Sequence, residues 1–298
     1  GGTNLKNKNI SIFFDPKIIK MLFLGFSSGL PILLIFSTLS VWLVKAGIDR
    51  STITLFSWAG FAYAFKYLWS PIVDNFKIPF FQKLGHRRSW LLFAQLMIVL
   101  SLVATSFTDP SKSLMPITIT IIFLAIFSAT QDIVIDAYRI ESAPQNLQGP
   151  LSSMYIAGYR LAMLVGGAGS LWIASYLGTA VYNQTVWKVV YLTMAILMTT
   201  GIITTILSKE PQIKKNNFLK VSEHTKFLFV FIIALAAFIY LYNIIENPFL
   251  ANDIIKSFIF SLIRIFLCFG FSALIIYLSI SVNFISKQKT SKIYIQPL

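Results

Sequence analysis

The chain is 298 residues long, 56% hydrophobic and 15% aromatic, with 12% charged residues and a mean hydropathy of +0.73. Several of its apolar runs exceed the roughly 20 residues a helix needs to cross a bilayer, which excludes a soluble globular protein. A net charge of +14 would suggest nucleic acid in a soluble domain, but here the charges fall in alternating loops, so they carry topology and no nucleic-acid partner is expected.

Eight apolar spans are predicted in chain order, at about 18–44, 51–73, 89–107, 116–137, 151–177, 187–207, 226–245 and 258–285. The predicted fold is therefore an all-α polytopic membrane protein. A six-helix bundle occupies 1–207, a basic cytoplasmic linker 208–225, a transmembrane helical hairpin 226–285 and a cytoplasmic tail 286–298. Span one is too long for a removable signal peptide and lacks its cleavage pattern. It carries Gly25-x-x-x-Gly29 followed by Pro31. Small residues at this spacing let helix backbones approach closely. A second reading is that Gly29-Leu30-Pro31 breaks the span beside a cavity and exposes backbone groups to a polar ligand, which makes Gly29 a substrate-contact candidate.

Span two places Tyr63, Lys66 and Tyr67 on one face and ends at Asp74; Gly85-His86-Arg87-Arg88 precedes span three. Asp74, Gly85, Arg87 and Arg88 are read as a cytoplasmic gating loop that latches one helix bundle to another. Span four is apolar except near its end, where Asp132, Asp136 and Arg139 share a face. Ionisable groups inside a bilayer are costly, and those that survive mark partners, substrates or proton paths. Span five carries Tyr155, Tyr159 and Arg160, then the small run Gly166, Gly167, Ala168, Gly169. Lys66, Asp132 and Arg160 lie at similar depth, so interhelical ion pairs are expected, with Arg160 in reach of Asp132 or Asp136. Such pairs either neutralise buried charge and hold the bundle together, or take part in transport through a carboxylate that gains a proton and releases its cation. The two readings are compatible. Tyrosines beside cations suit a ligand with sugar faces and acid groups, so Tyr63, Tyr67, Tyr155, Tyr159 and Arg160 join the substrate-contact candidates.

The remaining chemistry is sparse. Cys268 is alone, and His86 and His224 are far apart, so neither a disulfide framework nor a metal site is expected. No nucleophile with a base, no paired metal ligands and no phosphate loop are present, which leaves an enzyme reading without support; no cofactor is expected. Asn183-Gln184-Thr185 is a glycosylation triplet of the kind common by chance. Trp42, Trp172 and Trp187 are predicted at the outer membrane interface, and Trp69 and Trp90 at the inner one. Lys and Arg number 17 in the N-terminal tail, the even-numbered loops and the C-terminal tail, against five at Lys45, Arg50, Lys112, Lys188 and Lys256. The positive-inside rule then places both termini in the cytoplasm.

Five segments resemble the AmpG-type muropeptide permeases of the major facilitator superfamily, in that family's order. They are Leu24-Gly-Phe-Ser-Ser-Gly-Leu-Pro31, Phe65-Lys-Tyr-Leu-Trp-Ser-Pro71 with Asp74, Gly85-His-Arg-Arg-Ser-Trp90, Ala129-Thr-Gln-Asp-Ile-Val-Ile-Asp-Ala137 and Gly158-Tyr-Arg-Leu-Ala-Met-Leu164. The resemblance implies a multi-pass protein of the bacterial inner membrane that imports anhydro-muropeptide fragments of peptidoglycan with protons, for cell-wall recycling. It adds Gln131 to the substrate-contact candidates. Related acetyl-coenzyme A carriers share part of the pattern, so another anionic solute is the alternative cargo. The superfamily fold needs two six-helix halves around a central site, and this chain shows one. It is therefore expected to be a truncated or split transporter that acts with a separate second-half polypeptide, or else an inactive remnant or non-catalytic membrane subunit. By itself it is expected not to transport.

Overall fold

The computed structural model describes residues 11–212, 221–249 and 254–285. All regular structure among them is helical. The chain divides into two compact units, Gly1–Asn216 and Asn217–Leu298. Six helices among the described residues are long and apolar enough to cross a membrane: Pro16–Lys45, His86–Ser106, Met115–Ser142, Gln145–Leu177, Gln184–Leu207 and Ile254–Ser281. The first five of these coincide with predicted spans one, three, four, five and six, whose numbers they keep below. This is a multi-pass membrane protein.

Span one is bent, and its bend has a local cause. The helix runs from Pro16 to Ile35 straight through Pro31 and breaks at Phe36 (φ −106°, ψ −90°) before resuming as Ser37–Lys45. Proline has no N–H to offer the carbonyl four residues back. That carbonyl belongs to Ser27, and the Gln131 amide of span four donates to it at 3.1 Å. The break at Phe36 is served in the same way: the Leu34 carbonyl accepts from the Tyr191 hydroxyl at 2.6 Å. Backbone groups freed in an apolar surrounding must find partners, and here neighbouring helices supply them.

Predicted span two is not one helix. It is a chain of short pieces, Arg50–Phe56, Gly60–Ala64 and Ser70–Asn75, joined by 3-10 turns at Ser57–Ala59 and Lys66–Leu68. Phe65 (φ −100°, ψ 9°) and Trp69 (φ −102°, ψ 1°) sit at the joints. Pro71 contributes, because it withholds an N–H from the Tyr67 carbonyl, which the Ser70 hydroxyl takes up at 3.0 Å.

Spans one and five pack face to face through glycine. A Cβ on Gly158 would lie 1.9 Å from the Leu22 carbonyl oxygen; on Gly25, 2.1 Å from the Tyr155 carbonyl oxygen; on Gly29, 2.4 Å from the Tyr159 carbonyl oxygen. Only hydrogen fits between these backbones, so both glycines of span one are used for packing. Further along, span five bulges into a π turn at Val165–Gly169. The Gly166 carbonyl there accepts from Thr38 at 3.0 Å and also from Ser170.

Two apolar cores fill the unit. The larger joins Leu30, Leu34, Ile98, Ile121, Trp187 and Met198; the smaller joins Ile18, Leu24, Val73, Leu91, Val134 and Leu151. Trp42 and Trp187 belong to the larger core. They stack at 5.9 Å with 0% and 4% exposure, so they are core residues and not the interfacial anchors the sequence suggested. Trp42 satisfies its indole N–H inside the protein by donating to the Tyr182 hydroxyl at 3.1 Å. Trp172, at 68% exposure, keeps the surface position expected of an anchor.

The second unit is a hairpin of Val221–Ile244 and Ile254–Ser281. Phe238 meets Phe269 edge to face at 5.0 Å, Ser272 donates to the Ala234 carbonyl at 2.9 Å, and Cys268 is buried in the seam. Near the connection, the Asn247 amide donates to the Ser257 carbonyl and hydroxyl, both at 3.0 Å, and to the Ser261 hydroxyl at 3.1 Å.

Candidate functional site

Asp132 is buried inside the first unit, on the stretch of span four that faces spans one and two. Its Oδ2 lies 3.8 Å from Lys66 Nζ, whose side chain projects from a 3-10 joint of segment two. Its Oδ1 accepts a hydrogen bond from Ser28 of span one. Since the Ser28 proton is committed to the carboxylate, the Tyr155 hydroxyl 3.0 Å away is the donor to Ser28 Oγ. Span five thus completes a chain from Tyr155 through Ser28 and Asp132 to Lys66, across four segments. Two further hydroxyls, Tyr63 and Ser128, are buried without hydrogen-bond partners. The ammonium of Lys66 also lies 5.3 Å from the centre of the Tyr67 ring, within range of a cation–π attraction. A buried carboxylate facing one cation across a bundle is held by that cation and released when a proton neutralises it.

The other sequence candidates fall around this chain. Gln131 is fully buried and occupied: its amide donates to the Ser27 carbonyl and its oxygen accepts from the Ser27 hydroxyl at 2.6 Å. Gly29 faces the Tyr159 backbone. Tyr155 and Tyr159 are half-buried, with ring centres 6.0 Å apart, and Tyr67 is 63% exposed. Asp136 is half-buried, and its ion pair is with Arg139 of its own helix at 3.9 Å. Arg160 corrects an expectation. It is exposed and makes no ion pair among the described residues, so Lys66 and not Arg160 faces Asp132. The cause is rotational: the side of span five toward span one is taken by Gly158, with Tyr155 and Tyr159 beside it, and the next residue round the helix points elsewhere.

A second charged cluster ties the helix ends at the loop after segment two. Gly85 adopts φ +95°, a conformation that favours glycine, and turns the chain into span three. Arg87 then reaches two segments: its Nη1 donates to Asp74 Oδ1 at 2.6 Å, and its Nε and Nη2 donate to Glu141 at 3.0 and 2.8 Å. The two parallel bonds to Glu141 make the forked pairing that arginine alone provides. Arg88 donates to the Thr205 and Ile206 carbonyls at 3.1 and 2.7 Å, capping the last turn of span six. In return Glu210, just past that turn, accepts from the Arg87 and Arg88 backbone N–H groups at 2.8 and 2.9 Å. The start of span three and the end of span six therefore cap each other. Burial pushes the Glu210 carboxyl above its ordinary range, against the opposing pull of those N–H groups. His86 sits in the same knot, with Nε2 2.8 Å from the Val73 carbonyl oxygen, a structural contact.

Ser28, Glu141 and Glu210 were not among the sequence candidates. Glu141 carried a signal, being an acid close to the end of an apolar span, as Asp74 is. Ser28 and Glu210 carried none, because each gains its role from a helix more than 100 positions away. Among the described residues no group of three or more His, Cys, Asp or Glu is arranged to hold a metal ion.

Comparison with known proteins places these features in context. The family model described as Major Facilitator Superfamily matches residues 10–292. The chain is 40% identical over 202 residues to the putative transporter AmpG 4 of Rickettsia felis, covering 68% of this chain and 47% of that protein. It is 38% identical over 208 residues to the anhydromuropeptide permease of Escherichia coli K12, covering 70% of this chain and 40% of that protein. An uncharacterized protein of Haemophilus influenzae is 36% identical over 210 residues. The chain spans about half the length of the curated relatives it matches.

Proposed function

We propose a function from one premise: this chain belongs to the Major Facilitator Superfamily, whose model matches residues 10–292. It is the six-helix half of a secondary-active importer of peptidoglycan fragments, anhydro-muropeptides, across the bacterial inner membrane. The names of its relatives support the cargo. All eight apolar segments cross the bilayer, including the jointed second segment and Val221–Ile244, whose apolar stretch Phe229–Ile244 is shorter than a usual span. The Lys and Arg bias between alternating loops supports cytoplasmic termini. Reporter fusions at Thr3 and Leu298 should both read cytoplasmic, and a periplasmic signal at either overturns the arrangement.

The observation that carries the reading is the Lys66–Asp132 pair at 3.8 Å, set between a jointed segment and a continuous helix. A proton arriving at Asp132 removes the charge that holds Lys66. Segment two, jointed at Phe65 and Trp69, then loses one of its ties to span four, while Trp69 still donates to Thr130 at 3.1 Å. The exposed Tyr67 and Arg160 and the half-buried Tyr159 are assigned to the sugar rings and acid groups of the cargo. The Asp74–Arg87–Glu141 knot fastens segment two to spans three and four on the gating side. A central site between two bundles needs a second bundle, supplied by further sequence or by another polypeptide.

The test is uptake of labelled anhydro-muropeptide by cells lacking their own permease. The 298-residue chain alone should fail to restore uptake, and the chain combined with a matching second bundle should restore it. Robust uptake by the chain alone overturns the half-transporter reading and points to a pair of identical halves. No uptake by the combination overturns the cargo.

A further inference from the structure

Arg264 lies in the middle of the apolar helix Ile254–Ser281, flanked by Ile263, Phe266 and Leu267, which are all more than half exposed. A guanidinium at that place is expensive unless it is answered. Its answers are partial. Nη2 donates to the Tyr242 carbonyl, and the guanidinium carbon lies 3.6 Å from the centre of the Tyr242 ring. The carbonyl is one of those left open in the last turn of Val221–Ile244, so the arginine caps that helix and meets the negative end of its dipole. This uses one of five N–H donors. Nε is buried with no hydrogen-bond partner.

A counter-ion within the chain is hard to find. The sequence has 11 acidic residues. Asp132 and Asp136 answer Lys66 and Arg139, Asp74 and Glu141 answer Arg87, and Glu210 caps span three. Asp49 and Asp109 bind hydroxyls in their own turns, Asp15 caps the start of span one, and Glu223 lies in the first turn of Val221–Ile244, at the end opposite Tyr242. Glu246, on the hairpin itself, forms no ion pair among the described residues, and Asp253 lies outside them. The depth is also informative. The guanidinium is level with Tyr242, about one and a half turns below the Asn247 knot that closes the hairpin. Tyrosine rings favour the boundary between headgroups and acyl chains.

We propose that Arg264, with the Tyr242 ring and carbonyl behind it, is a binding site for the phosphate of a phospholipid in the leaflet at the loop end of the hairpin. The phosphate accepts from the Nη donors that Tyr242 leaves free, buried Nε taking no part, and the acyl chains lie along the exposed apolar side chains of the same helix. A forked guanidinium matches a phosphodiester in a way that a point charge does not.

The test uses the full chain, purified in a lipid-free nonionic detergent, with bound lipid counted by native mass spectrometry and unfolding followed by heat. Phosphatidylglycerol should bind and raise the unfolding midpoint. Arg264→Gln should weaken that binding about tenfold or more, as expected for loss of a charge-assisted pair, while Lys188→Gln leaves it unchanged. If Arg264→Gln does not fold, Arg264→Lys decides: it should fold and bind several-fold more weakly. Equal lipid affinity in the wild type and the arginine variants overturns the site. Diacylglycerol, which lacks the phosphate, should give no shift; the same shift from it overturns the phosphate, and the same shift from inorganic phosphate alone overturns the lipid. Tighter lipid binding after Glu246→Gln or Asp253→Asn is expected, because either acid would compete; complete loss of lipid binding in these variants assigns the partner to the carboxylate and overturns the proposal.

Discussion

Gln131 shows how a residue that looks like a ligand contact becomes part of the framework. Its amide replaces the hydrogen bond that Pro31 removes from the Ser27 carbonyl, at 3.1 Å. Gln131→Leu should therefore cost about 1–3 kcal/mol, the range for stranding a buried polar group. In a Pro31→Ala background the N–H of residue 31 returns to Ser27, and the same substitution should cost clearly less. Thermal unfolding of the two single variants and the double variant measures the coupling, and strictly additive losses contradict the compensation. Glu210 supplies a test with pH. Burial raises its carboxyl above the ordinary 4.5. A group raised on folding contributes stability fully present below its unfolded value and lost as pH rises through its folded value. Glu210→Gln should therefore gain on the wild type as pH climbs from 4.5 upward. A wild type that gains on the variant over the same window shows that the N–H bonds from Arg87 and Arg88 outweigh desolvation.

At the level of helices, the seam between spans one and five is the most demanding contact. Gly158→Ala would put a methyl group 1.9 Å from the Leu22 carbonyl oxygen and 2.9 Å from the Phe26 nitrogen, and both obstacles are backbone. The expected loss is at least the roughly 1–3 kcal/mol of an overpacked core. Gly149→Ala, with nothing within 4 Å of its added carbon, should be neutral or slightly stabilising. Unfolding of the two variants side by side checks this, and equal stability dismisses the seam. The small-residue spacing made this contact legible in the sequence, as apolar length did for spans one, three, four, five and six. Helix neighbours were less legible. A helix period tells which residues share a face but not what the face meets, so Arg160 seemed a better partner for Asp132 than Lys66, whose long side chain can snorkel toward the cytoplasm. The break of span one was expected at Gly29–Pro31 and lies at Phe36; Gln131 takes up the carbonyl freed by the proline, and Tyr191 the Leu34 carbonyl beside the break. The joints of segment two were hidden by its even apolar composition, and the burial of Trp42 depends on Tyr182, 140 positions on.

For the molecule as a whole, the first unit contains a relay of polar groups, which the proposed function takes as one side of a transport pathway. Tyr155, Ser28, Asp132 and Lys66 link four segments, and mutual capping between spans three and six closes the ring of helix ends. In the proposed function, charge neutralisation at Asp132 is the step that would make this arrangement a switch. The neighbouring Asp136 makes its ion pair with Arg139 of its own helix, so its protonation should disturb segment two less than that of Asp132. The most direct measurement is proton movement on adding anhydro-muropeptide to lightly buffered proteoliposomes that hold this chain with a matching second bundle. The account predicts a cargo-dependent proton influx with the wild type, most of it kept by Asp136→Asn and lost with Asp132→Asn. Cargo-coupled proton influx of wild-type size in Asp132→Asn contradicts it.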